Sequence, residues 1–168
     1  MKADLNQLAT RVHAANKHWW TDLETGKPLK RDPHELLVLV VSEVSECLEG
    51  ERKNLMDDKL PHRRMAEVEM ADAYIRLLDF AGGYDIKLYR YGTWYIPENV
   101  GAALFQLTKI IVDEFDTHSI SNALRYIECY CEKHDYDLEG AIEEKLFFNT
   151  TREDHTNEAR KAKNGKKF

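Results

Sequence analysis

The chain has few of the residues that staple or interrupt a fold: three cysteines, four prolines and eight glycines in 168 residues. Cys47, Cys129 and Cys131 are odd in number and lack metal-ligand spacing. On a helix Cys129 and Cys131 would point to nearly opposite sides, so the three read as reduced thiols of a cytoplasmic protein. The longest apolar run, Leu36 to Val41, is six residues. A membrane helix needs ~20, so no bilayer span is expected. The opening "MKADLNQLATRV" lacks the apolar stretch and small-residue cleavage site of a secretory leader. No segment alternates with period two, and there is no internal repeat. Nor is there a basic face. The net charge is −6 with acids throughout, which argues against duplex nucleic acid as a partner. Basic residues gather only in the tail "ARKAKNGKKF", and from about residue 156 the chain reads as a mobile, solvated terminus.

What is present is helical periodicity, over a length suited to one domain spanning 1–168. Leu5, Leu8, Val12, Ala15 and Trp19 share a stripe of a first helix from Ala3 to Trp20. "TDLETGKPLKRDPHE" is a loop, broken by Gly26, Pro28 and Pro33, and Pro33 suits a helix start. A second helix runs to about Lys53. "NLMDDKLP" turns the chain into a third, from about Pro61 to Gly82. The aromatic stretch "YDIKLYRYGTWYIPEN" is irregular. Helices over Pro97–Phe115, Ser119–Lys133 and Leu138–Asn149 complete an all-α fold, a helical bundle.

Acids mark two of these helices. Glu43 and Glu46 are an i, i+3 pair projecting from one side of the second. Glu69 and Asp72 repeat the spacing on the third, and the midpoint between the pairs falls at Asp57 and Asp58, in the turn. An antiparallel hairpin about that turn would set both pairs at one height, so that four carboxylates converge. A lone pair of this kind is ordinary surface decoration; two mirrored pairs are less so. Four such anions must either take up protons or hold cations. All-oxygen ligation selects a hard cation, Mg²⁺ or Mn²⁺. Arg76 and Asp79 extend the stripe beyond Asp72. Near the other end, Lys145, Asn149 and Arg152 stand at i, i+4 and i+7. If the helix persists they share a face suited to phosphate oxygens, the alternative being a solvated basic stripe capped by Asn149.

At these residues the chain resembles the MazG-like, all-α nucleoside triphosphate pyrophosphohydrolases, in particular the small single-domain members that phages often carry. Their pattern of ExxE, a spacer, then ExxD matches "EVSE", twenty-two residues and "EMAD". Lys145, Asn149 and Arg152 look like their downstream element. Ser42 departs from the acidic residue many relatives carry there, and the two helices between Lys87 and Asp137 have no assigned role. The resemblance implies hydrolysis of a nucleoside triphosphate between its α and β phosphates. Glu43, Glu46, Glu69 and Asp72 would hold Mg²⁺, Lys145 and Arg152 would stabilise the leaving pyrophosphate, and one glutamate would double as base. It further implies a homodimer or homotetramer and a deoxynucleoside triphosphate substrate.

For the base, Trp20 shares a stripe with His13 and Asn16. The indole would stack, Asn16 would read a donor and acceptor edge, and a purine such as that of dGTP would fit. The alternative is that Trp20 caps the core and Asn16 faces water. Competing functions are weaker. A carboxylate-bridged di-iron bundle needs Glu-x-x-His pairs, which the chain lacks. An HD-type phosphohydrolase needs more histidines around His134 and Asp135. A non-catalytic acidic interaction protein would explain the charge but not the mirrored acids.

Overall fold

The computed structural model of the chain describes residues 3–113, 115–152 and 156–165. It is an all-α helical bundle of α1 (Leu5–Asn16), α2 (Pro33–Lys53), α3 (Met65–Gly83), α4 (Val100–Ile111), α5 (Thr117–Lys133), α6 (Leu138–Thr150) and α7 (Asn157–Lys161), with a 3₁₀ turn over Lys17–Trp20. Among the described residues, extended pairing is limited to the isolated bridges Thr21–Pro28 and Met56–Arg64.

Capping side chains set most of the helix starts, because the first amides of a helix have no partner within it. Asp4 accepts from the amides of Asn6 and Gln7, Asn99 from Ala102, Asp116 from Ser119 and Asp137 from Gly140. Pro33 opens α2 behind Asp32, and Asn54 closes it in the left-handed region at φ 52°. These caps also explain where the boundaries differ from the sequence reading. The third helix starts at Met65 rather than Pro61, because Asp57 Oδ1 gathers the amides of Lys59 and Leu60 at 3.0 and 2.7 Å into a turn. The fourth helix starts behind Asn99 and ends by Ile111. The sixth ends at Thr150, so Arg152 lies off it and shares no helical face with Lys145 and Asn149.

Helix α3 is the centre of the bundle, packed against α1, α2, α5 and α6. Between Ala66 and Ala81 every residue is buried except Asp72, Arg76 and Asp79, which are spaced i, i+4 and i+7. A helix that is apolar all round must be covered all round, and here one narrow charged stripe is left open. Along α2, Gly50 lies against Met65 and Ala66 at the start of α3, while Glu43, two turns earlier, reaches Arg76 further along α3. Gly50 makes this approach possible, since a Cβ there would stand 2.9 Å from the Ala66 nitrogen.

Two further expectations change. The stripe on the first helix is buried only through Val12; Ala15 is exposed and Trp19 half-buried. The tail is not simply a solvated terminus from 156, because α7 turns Arg160 inward to 2% exposure. Cys47, Cys129 and Cys131 are free and buried. Burial pushes the Cys47 thiol up to about 12, where no reactive thiolate forms at neutral pH. Among the described residues no helix is long and apolar enough to cross a membrane.

The irregular segment after α3 is fastened by polar contacts. Asn6 exchanges hydrogen bonds with both backbone groups of Leu88, at 3.0 and 2.8 Å. Further on, Arg90 and Arg125 bracket the buried carboxylate of Glu128, at 3.1 and 2.8 Å, and Tyr74 of α3 donates to it at 2.9 Å. Burial alone would raise the Glu128 pKa; the hydrogen bonds from Arg90, Arg125 and Tyr74 more than offset it and hold the group below its ordinary value. Removing this carboxylate strands two guanidinium groups and a phenol. Glu128→Ala is expected to lose about 3–5 kcal/mol of unfolding free energy in urea titration. A loss under about 1 kcal/mol would mean that the segment is held by its apolar contacts alone.

Candidate metal centre

Helices α2 and α3 bring Glu43, Glu69 and Asp72 together: one ligand oxygen from each lies within 4.8 Å of the others. Glu43 and Glu69 are 6% and 5% exposed. Among the described residues no other trio of potential metal ligands converges in this way. Glu46, one turn beyond Glu43, is exposed and stands outside the trio. Of the four acids expected to converge, three therefore share one spot.

Two cations flank it. Arg76 Nε donates to Glu43 Oε1 at 2.6 Å, and Lys145 Nζ lies 2.7 Å from Asp72 Oδ2. Lys145 reaches in from α6 and is 2% exposed. In this arrangement its ammonium neutralises a carboxylate. Burial pushes the Glu69 pKa up to about 9, helped by the negative charges of Asp72, Glu43 and Glu46. Burial also raises Asp72, and the Lys145 charge opposes that shift. Two cations cannot neutralise three acids, and the proton retained by Glu69 makes up the difference.

Asp72 also lines a cleft of about 260 Å³ between α3, the 3₁₀ turn and the end of α6. Its walls carry Arg31, Arg76 and Arg152, the amides Asn16 and Asn149, and Trp19. The Asn149 Oδ1 atom is buried and has no hydrogen-bond partner, so a ligand donor would complete it. Of the phosphate-binding expectations, Asn149 and Arg152 stand at the cleft, while Lys145 is engaged with Asp72.

Of the base-binding expectations, Asn16 lines the cleft and Trp20 and His13 do not. The Trp20 indole N–H donates to both Asp79 oxygens at 3.1 Å, and His13 Nδ1 lies 2.8 Å from Asp79 Oδ1. Trp20 also packs over Gly83, where a Cβ would run into its ring. Asp79 is raised by burial, against the hydrogen bonds from His13 and Trp20. Trp19 lines the cleft instead. Arg76 and Asp79 were legible as a continuation of the Asp72 stripe. Arg31 comes from a loop and carries no periodic signal.

Three carboxylates on two rigid helices, all oxygen donors and one of them protonated for want of a cation, fit a hard divalent ion such as Mg²⁺ or Mn²⁺. Comparisons with protein-family models, curated proteins and solved structures find no match to this chain.

The protonated glutamate gives a test with a definite sign. A carboxylate raised by folding stabilises the fold below its unfolded pKa, and that contribution disappears as pH rises through the folded value. Without divalent ions, the melting temperature is expected to fall between the ordinary glutamate pKa of about 4.3 and the shifted value of about 9. Mn²⁺ should flatten that slope, and Glu69→Gln should remove it. A slope that survives in Glu69→Gln would place the titration elsewhere.

Proposed function

We propose that the chain is a Mg²⁺-dependent nucleoside triphosphate pyrophosphohydrolase of the MazG-like kind, converting a (deoxy)nucleoside triphosphate and water to the monophosphate and pyrophosphate. The observation that supports this best is a buried three-carboxylate centre sharing Asp72 with an arginine-lined cleft. An acidic interaction protein would keep its acids in water, whereas Glu43 and Glu69 are buried. Ions bound at such a centre neutralise phosphate oxygens and lower the pKa of an attacking water.

The chain's own groups divide the remaining work. Glu43, Glu69 and Asp72 hold the cation, and the exposed Glu46 adds a ligand or takes the proton of the attacking water. Arg76 and Arg152 on the cleft wall face the charge that builds on the leaving pyrophosphate. Lys145 holds Asp72 in place. Trp19 offers a ring for stacking, and Asn16 and Asn149 offer hydrogen-bonding groups to base and sugar. A deoxynucleoside triphosphate with a purine base, dGTP among them, is the substrate we propose, acted on by a homodimer or homotetramer.

Phosphorus NMR of the products, across all NTPs and dNTPs with Mg²⁺ or Mn²⁺, tests this directly. Pyrophosphate and monophosphate are expected as first products; orthophosphate as first product would overturn the assignment. Glu69→Gln should lower kcat by at least ~10²-fold with the fold retained, since it removes a ligand and replaces a carboxyl that is already uncharged in the metal-free fold.

A further inference from the structure

Asp79 is the last member of the charged stripe on α3, and its side chain is 13% exposed. Donors from α1 and the turn after it surround the carboxylate. The Trp20 indole N–H is shared between both oxygens at 3.1 Å, His13 Nδ1 lies 2.8 Å from Oδ1, and the Asn16 side chain hydrogen-bonds to it as well. Burial raises the Asp79 pKa, and these three partners oppose the rise, as donors to an ionised carboxylate do. A carboxylate has about four acceptor sites, and these contacts fill them. Asp79 lines the cleft, yet its own oxygens are already spent.

The carboxylate decides how Asn16 is turned. An ionised carboxylate only accepts, so the Asn16 amide must offer it the nitrogen, which leaves the carboxamide oxygen on the other prong. The backbone keeps this arrangement in place. Asn16 ends α1, and α1 lies so close to α3 that a Cβ at Gly82 would stand 2.5 Å from His13 Cβ. A second acceptor stands in the same walls. Asn149 Oδ1 is buried without a partner, and Asn16 and Asn149 together line both this cleft and a neighbouring cavity of about 290 Å³.

We propose that Asp79 is a positioning residue that sets base specificity: it turns the Asn16 carboxamide oxygen into the cleft, where with the Asn149 oxygen it selects a base carrying an amino group. Guanine offers its ring N–H and its amino group side by side, and adenine and cytosine offer an exocyclic amine. Thymine and uracil offer a single N–H between two carbonyl oxygens, which acceptors repel. The proposal rests on the reading of the cleft as a nucleotide site and deepens it. Asp79 acts through Asn16 and touches no reacting atom.

Calorimetry of the full chain with Mn²⁺ and the α,β-methylene analogues of the four deoxynucleoside triphosphates tests it. Wild type should bind the tightest of the three amino-bearing analogues at least about tenfold more tightly than the dTTP analogue, because buried acceptors reject a ligand that leaves them unpaired. Asp79→Asn keeps the shape but offers a donor as well as an acceptor, so Asn16 is free to turn. In that variant the ratio should fall to within about threefold, and Asn16→Ala should lower it as far. Adding Asp79→Asn to Asn16→Ala should change the ratio no further, an outcome that a merely structural role for Asp79 would not produce. Affinity for Mn²⁺ alone should stay within about twofold of wild type throughout, since the carboxylate trio is untouched. A wild-type ratio retained in either single variant overturns the proposal, as does a further fall in the double variant. If Asp79→Asn does not fold, Asp79→Glu, which moves the same charge by one methylene, takes its place in the cycle. A wild-type protein that binds the dTTP analogue as tightly as the others overturns this proposal and leaves the nucleotide reading standing. One that binds Mn²⁺ but none of the four analogues overturns both.

Discussion

The charge balance around Glu69 governs the rest of the molecule. α3 is covered by four other helices, and Glu69, which it carries inward, must be neutralised locally because it is buried from bulk water. Arg76 answers Glu43 and Lys145 answers Asp72, which leaves Glu69 uncharged only while it keeps a proton. A divalent ion in place of that proton would turn the centre from neutral to net positive: three negative charges against four positive ones. An anionic ligand is the natural partner of that state. On the proposed reading, metal affinity and anion affinity would be coupled through a single glutamate.

Such a centre is a source of repulsion in the fold, and stability must come from elsewhere. The apolar cluster runs from Leu5 on α1 to Ile142 on α6. The buried carboxylate of Glu128, fully answered by two arginines and a tyrosine, ties the irregular segment to α3 and α5. The two buried carboxylates behave oppositely because their partners differ. Glu128 faces donors and stays ionised, while Glu69 faces other acids and does not.

The sequence shows where the centre would be but not how its neighbours are arranged. The two i, i+3 acidic pairs were readable because a helix fixes which residues share a side. Glu46 falls outside the trio although its spacing from Glu43 matches that of Glu69 and Asp72, because α2 leaves Glu46 exposed while the central α3 is covered on most sides. Trp19 rather than Trp20 lines the cleft for a local reason. Past Asn16 the chain tightens into a 3₁₀ turn, which advances about 20° more per residue than an α-helix and rotates the stripe. Lys145 looks like a phosphate ligand in any reading by composition, and only the packing of α6 on α3 shows that Asp72 already occupies it. Arg160 was hidden among five basic residues of the tail, since composition gives no sign of which cation turns inward.

The cleft has two unlike kinds of lining. Asp72 connects it to the carboxylate trio, while Trp19 and the amides of Asn16 and Asn149 also line it. On the proposed reading, a ligand matches both kinds of lining only if it carries metal-seeking oxygens and a planar ring. An inorganic polyphosphate would leave the orphaned Asn149 oxygen unmatched, and a nucleoside would leave the trio's charge unanswered. On the proposed reading a nucleoside triphosphate meets both demands in one orientation. That orientation puts the phosphate chain beside Arg76 and the acids, and the base against Trp19. The direction of binding then follows from the charge layout, because reversing the ligand would set phosphates against the ring and the base against the acids.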